Sequence, residues 1–385
     1  MSATEIGGRC DERFTEVRDA FEAVVAGDAG GASAAVFLDG EPVVDLWGGY
    51  ADQAQDRAWE RDTLTNVWSI SKTMTNLCAI ILADQGELDL HAPVARYWPQ
   101  FAAAGKDAVE VRHLLSHTAG LPGWDEPLKS PGDLYDWDRC TGPLAAQRPW
   151  WEPGSVSGYH ALTQGYLVGE VVRRITGQSP GSFFAERVAG PLGADFHIGL
   201  PAADDDRVAD VFNLEGLAVP PELQEMSDKV FGKPNVLADP SRTVSTRAWR
   251  AAEIPAGNGH GNARSVATVQ SVIACGGEVG GVRLLSEKGV QAIFDQQIDG
   301  VDLLLRTPVK FGMGWALGYG GSPFTGARTC YWGGAGGHMV TADCDNRLVV
   351  AYMMSHMKFG GRFKTTGDER FGAIVKAAYH ALNRG

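Results

Sequence analysis

Ser69-Ile70-Ser71-Lys72 sets a hydroxyl and an amine three residues apart. The tetrad opens a segment in which Met74, Leu77, Cys78, Ile81 and Leu82 recur at helical spacing, ending near Gly86. Positions i and i+3 share a helix face, so Lys72 can reach Ser69. A helix N-terminus also favours negative charge developing on the serine oxygen. A lysine acts as a base only when burial or a neighbouring positive charge lowers its pKa. The chemistry this spacing can support is an activated serine nucleophile.

Two other serines sit in patterns of the same kind. Ser355-His356-Met357-Lys358 is a second S-x-x-K, but it follows the strand-like LVVAYMM and runs into Gly360-Gly361, and it reads as a strand exit. Gly177-Gln178-Ser179-Pro180-Gly181 matches G-x-S-x-G. That elbow needs a strand before the serine and a backbone N–H after it. Here a helical segment precedes, and Pro180 has no N–H. Gly177 is expected to cap one helix, and Ser179 with Pro180 to start the next.

A lysine base needs a partner to pass the proton on. Tyr159, in PGSVSGYHALTQGY, lies in a loop entering a helix. A tyrosine near a lysine cation can be partly ionised and shuttle a proton, although from spacing alone a lone tyrosine reads more readily as a core or surface aromatic. Tyr331-Trp332-Gly333-Gly334-Ala335-Gly336-Gly337 is the other unusual run. Glycines suit a strand where a ligand or another backbone must come close. Such a strand can offer a backbone N–H to an oxyanion; the plainer reading is a glycine-rich turn.

The elements that must position these residues come from both ends of the chain. Phe14, Val17, Phe21 and Val24 mark an amphipathic helix over residues 11–26. Asp39-Gly40 between two apolar runs predicts a β-hairpin. A second hairpin turns at Asp343–Asn346 before LVVAYMM, and residues 368–382 read as a helix with Phe371, Ile374, Val375, Ala378 and Leu382 inward. From about Gly86 to Ser245 the chain is broken by Pro, Trp and Gly, with helical pieces such as YLVGEVVRRITG. The expected fold class is α+β: an antiparallel sheet of residues 1–85 and 246–385, flanked by the terminal helices, with a mostly helical inserted domain at 86–245 and the active site between them.

The 385 residues include 34 Lys and Arg against 47 Asp and Glu, a net charge of −13. That argues against binding nucleic acid or an anionic membrane surface, both of which call for a basic face. No apolar run reaches the roughly 18 residues of a spanning helix. The N-terminal MSATEIGGRCDERF has neither a basic nor an apolar signal region, so a cytoplasmic protein is expected. Six scattered cysteines, without a CxxC pair, are expected to be free. Nine histidines without HExxH or ligand spacing predict no metal and no cofactor. His117 is expected to be structural. His160 can line the pocket or pack, and His338 follows the glycine run. The Asp204–Asp206 run reads as a solvated loop or a helix start, and Trp124, Tyr135, Trp137, Trp150 and Trp151 as aromatic core that could also line an acyl or alcohol pocket.

In chain order, SISKTMTNLCAIILADQGELDL, HLLSHTAGL at 113–121, EPGSVSGYHALTQGYLVGEVVRRITG, GNARSVATV, FGMGW and WGGAGG resemble the serine β-lactamase and penicillin-binding-protein superfamily. Among its branches they are most similar to the family VIII carboxylesterases, which resemble class C β-lactamases in fold. The resemblance covers roughly residues 14–380. It implies Ser69 as acyl nucleophile, Lys72 and Tyr159 as base system, and the N–H groups of Ser69 and Ala335 as oxyanion hole. It places Trp332, Gly333 and Gly334 on the substrate-binding strand. Lactamases usually carry Asn where Ala161 stands and Lys where Trp332 stands. Losing an amide and a cation points to a small-molecule ester, hydrolysed through an acyl-serine. An acyltransferase, a β-lactamase or D-amino-acid peptidase, and a catalytically silent scaffold are the alternatives. The sequence gives no reading of oligomeric state.

Overall fold

The computed structural model describes residues 5–212, 221–233, 235, 239–318, 326–358 and 368–384. Among the described residues nine strands form one sheet: β1 (Gly7–Cys10), β2 (Ala32–Leu38), β3 (Glu41–Gly48), β4 (Ile298–Val301), β5 (Pro308–Phe311), β6 (Ala316–Leu317), β7 (Thr329–Gly334), β8 (His338–Asp343) and β9 (Leu348–Met354). Their order is β1-β3-β2-β9-β8-β7-β6-β5-β4, and every neighbouring pair is antiparallel. All nine lie outside residues 86–245. The β2–β3 hairpin turns on Asp39 and Gly40, both with positive φ (53° and 82°), the backbone that Asp-Gly accepts readily. At the β8–β9 turn the Asp343 carboxylate accepts the N–H groups of Asp345 and Asn346.

Helix α1 (Thr15–Ala26) and α5 (Glu369–Asn383) pack together and against β3 and β9, while α4 (Ala263–Ala274) packs on β2, β8 and β9. Strands β2 and β9 are buried along almost their whole length, as strands covered by helices on both faces must be. Two inward assignments shift by one residue. Val25 is buried where Val24 is half-buried, and Ala381 where Leu382 is half-buried. The first turn of α1 is a tighter helix, Glu12–Phe14, which advances the apolar stripe.

Helix α2 (Ser71–Asp84) is buried on nearly every side, so it carries apolar and small residues all round. It packs against α3 (Thr163–Thr176), and one continuous core runs from the sheet into the 86–245 segment. Between Gly86 and Ser245 the elements among the described residues are helices and short helical turns.

Candidate active site

Ser69 lies in a short helical turn, Trp68–Ile70, that feeds directly into α2. Trp68 has φ 51°, a left-handed conformation that is strained for a bulky residue. Ser71 holds this turn in place: its Oγ donates to Trp68 O (2.5 Å) and accepts the Gly259 N–H (2.8 Å).

Lys72 is fully buried in the first turn of α2. Its Nζ is 3.1 Å from Ser69 Oγ, 2.6 Å from Ala161 O and 2.9 Å from Ala256 O. None of these partners is a carboxylate. Burial drives the Lys72 amine well below its ordinary pKa and so favours the neutral form. A neutral amine has two N–H bonds and one lone pair. The two carbonyls take the N–H bonds, which leaves the lone pair facing Ser69.

Tyr159 donates its hydroxyl to Ser69 Oγ at 2.8 Å. Its ring is half-buried, but the hydroxyl end is enclosed. Burial pushes this phenol well above its ordinary pKa, against its hydrogen bond to Ser69 and the nearby Trp332 indole. The expected partial ionisation of Tyr159 is therefore corrected. Its own burial favours the protonated phenol. The Tyr159 ring stands 4.8 Å from His117 and 6.2 Å from Trp332. His117 is buried and stacks on Trp332 (5.6 Å, 24°). Phe311 at the end of β5 closes the cluster against both rings.

Trp332, Gly333 and Gly334 are the last residues of β7, paired with Val340, Met339 and His338 of β8. A Cβ on Gly334 would lie 2.4 Å from Val67 O and 3.0 Å from His338 Cβ. Glycine is thus what lets the strand close onto the backbone just before Ser69. The chain then turns through Ala335, Gly336 (φ 84°) and Gly337 (φ 123°). The run is both strand and turn, with the change at Ala335. Arg370 supports this turn from α5, donating to Gly336 O at 2.8 Å while pairing with Asp28 and Asp368.

The other residues singled out take supporting places. Gly177 ends α3 with φ 73°, and Ser179 caps the next helix while donating to Glu253 (2.6 Å). Ser355 Oγ accepts the Gly31 N–H, and Lys358 pairs with Asp28 at 2.9 Å. Gly360 and Gly361 lie outside the described residues. His160 is a packing residue: its Nε2 accepts the Leu121 N–H and its Nδ1 donates to Gly158 O. His338 is buried, with neither ring nitrogen hydrogen-bonded. Asp204 and Asp205 sit in a helical turn and pair with Arg207, Arg247 and Arg250. Trp124 is core, whereas Trp151 lies against Gly158 beside the tyrosine loop. All six cysteines are free. Among the described residues no cluster of three His, Cys, Asp or Glu side chains is arranged to hold a metal ion.

Three contributors carry no sequence signal. The carbonyls of Ala161 and Ala256 act through the backbone, which any residue shares. Asp302, which accepts the Tyr159 N–H, lies 143 residues further along.

A family model described as Beta-lactamase matches residues 17–373. The esterase/beta-lactamase LipL of Mycobacterium tuberculosis is 37% identical over 327 residues, 82% of this chain and 75% of that protein. The crystal structure of a family VIII carboxylesterase superposes with a TM-score of 0.90 at 40% identity, covering 98% of this chain and all of the other. A penicillin-binding-protein homologue from Caulobacter crescentus gives 0.89 at 37% identity, with the same coverage.

Proposed function

The chain belongs to the beta-lactamase family, and on that premise we propose that it is a serine carboxylesterase acting on small to medium carboxylic esters through an acyl-Ser69 intermediate. The observation that carries this reading is the fully buried Lys72, with both N–H bonds directed at carbonyls and its third position at Ser69 Oγ. Ser69 attacks the ester carbonyl and Lys72 takes its proton. Tyr159, donating to the same oxygen, relays a proton toward the leaving alkoxide. The N–H groups of Ser69 and Ala335 hold the tetrahedral oxyanion. Water then attacks the acyl-serine through the same groups in reverse. No step calls on a metal or cofactor.

The strand edge bears on the substrate class. Trp332 stands where lactamases carry a lysine, and it is buried against His117 and Phe311. Ala161 stands where they carry an asparagine. An apolar wall without cation or amide favours a neutral ester over an anionic β-lactam. The names of the relatives include both activities, so β-lactam opening is the second reading. We take the site to lie between a sheet domain of residues 1–85 and 246–385 and a mostly helical domain of 86–245. Ser69, Tyr159 and Trp332 come from those three stretches. Among the described residues no helix is long and apolar enough to cross a membrane.

The test is hydrolysis of short and medium p-nitrophenyl esters beside a chromogenic cephalosporin, by wild type and Ser69→Ala. The expected result is ester turnover abolished by the substitution, with little cephalosporin opening. Turnover surviving in Ser69→Ala removes the nucleophile assignment. Faster cephalosporin than ester turnover replaces the esterase by a lactamase.

A further inference from the structure

We propose that Asp302 is a positioning residue for Tyr159, fixing the tyrosine's main chain so that its hydroxyl meets Ser69; this rests on the esterase reading above. Asp302 follows β4, in the loop to β5, and is fully buried. Its carboxylate accepts four hydrogen bonds, all from neutral donors. Oδ2 takes the Ser157 hydroxyl at 2.5 Å. Oδ1 takes the backbone N–H groups of Tyr159 (3.1 Å), Leu304 (2.9 Å) and Leu305 (2.8 Å). The Leu303 N–H returns to Ser157 O at 2.9 Å. The β4–β5 loop and the tyrosine loop are thereby bonded together on both sides of Gly158.

A buried carboxylate with no cation beside it is costly unless every lone pair is used. Capping its own loop would use only the bonds to Leu304 and Leu305. The remaining two reach across to residues 157 and 159, flanking the one position where a glycine packs under Trp151. Tyr159 is then fixed at three points: its N–H by Asp302, its ring by His117 and Trp332, and its hydroxyl by Ser69. Phe311, at the far end of β5, packs on the same His117 and Trp332, so loop and strand act as one support.

The experiment is a double-mutant cycle on p-nitrophenyl butyrate, with wild type, Asp302→Ala, Tyr159→Phe and the double variant, each checked by melting temperature. Asp302→Ala is expected to lower kcat by roughly 10- to 100-fold, as a misplacement of about 1 Å does, with KM nearly unchanged. In the Tyr159→Phe background the same change should cost less than about threefold, because the hydroxyl it positions is gone. Asp302→Asn keeps an acceptor for the Tyr159 N–H and should restore most of kcat. If the alanine protein does not fold, Asp302→Ser can still cap its own loop but falls short of Tyr159, and should show the same kcat loss. Equal losses in both backgrounds, or wild-type kcat in every Asp302 variant, overturn the proposal. Tyr159→Phe with full activity overturns instead the esterase mechanism on which it rests.

Discussion

Replacing Gly334 by alanine tests the link between strand and nucleophile. The added Cβ would lie 2.4 Å from Val67 O, about 1 Å short of the 3.4 Å at which ordinary contact begins. The oxygen belongs to the backbone two residues before Ser69, so no side chain can rotate out of the way. Either the β7 end or the Val67–Ser69 segment must withdraw by close to that 1 Å. Any withdrawal widens the gap between the N–H groups of Ser69 and Ala335, which in the proposed mechanism must both reach one oxyanion. A displacement of this size costs about 100-fold in rate, or roughly 2.7 kcal/mol of transition-state stabilisation. The fold should lose less, roughly 1–3 kcal/mol, as overpacked sites do. The assay is kcat for p-nitrophenyl acetate and the rate of Ser69 labelling by an activated phosphonate, beside a urea melt. A folded Gly334→Ala protein that labels and turns over like wild type would show that strand and nucleophile do not share the oxyanion. A fall in stability alone would refute the reasoning equally.

Lys72→Met should lower kcat by roughly 10²- to 10⁴-fold while raising the melting temperature at pH 7. Burial holds the Lys72 pKa well below the 10.5 of the unfolded chain, so between those two values folding releases a proton. That cost shrinks as pH rises toward 10.5, and the stability gain of the methionine protein should shrink with it. His160, His260 and His338 are each pushed down to about 3, by burial first and then by neighbouring positive charge or, at His160, against a bond to Gly158 O. Their unfolded value is 6.5, so stability is complete above that pH and falls below it, by roughly 2 kcal/mol per histidine at pH 5. A melting temperature that stays level from pH 7 to 5 would contradict this. Arg370→Met removes the cation between Asp28 and Asp368 and the donor to Gly336 O. Urea denaturation should show a loss of about 3–5 kcal/mol, accompanied by slower Ser69 labelling.

Legibility in the sequence followed the range of the interactions. The hairpins at Asp39-Gly40 and Asp343–Asn346 depend on residues adjacent in the chain, and both were readable. So were the cap at Gly177 and the helix start at Ser179, because each is a local rule about φ or a missing N–H. The α+β class followed from where strand-like and helical patterns fall. Asp302 was not readable. It lies in an ordinary loop, and its partner at Tyr159 is brought near only by the tertiary fold. The ionisation of Tyr159 was misread for the same reason. Its direction depends on how completely the tyrosine hydroxyl itself is buried, and that is set by the tertiary fold. The one-residue slips at Val24 and Leu382 are what a tight first turn or a fraying last one produces in an otherwise regular stripe.

The chain carries the same four-residue pattern twice, and the contrast shows what separates the proposed nucleophile from a coincidence. At Ser69 the lysine is wholly buried on a helix, has carbonyls but no carboxylate around it, and meets the serine oxygen at 3.1 Å. At Ser355 the serine is also buried, but it serves the Gly31 backbone at the end of a strand, and Lys358 turns away to Asp28. In an extended segment, residues three apart point to opposite faces, so no spacing can bring that pair together. In a helix they share a face, but reach alone would still leave a charged lysine and an ordinary hydroxyl. Ala161 O and Ala256 O occupy a neutral amine's two N–H bonds, so the lone pair has only Ser69 to face. Placing a carboxylate beside Lys72, as Ala161→Asp would if its side chain turned inward, should favour the ammonium and remove the base. Ester turnover should then fall at pH 7 and return partly as pH rises. A loss of turnover that does not change with pH would place the base elsewhere.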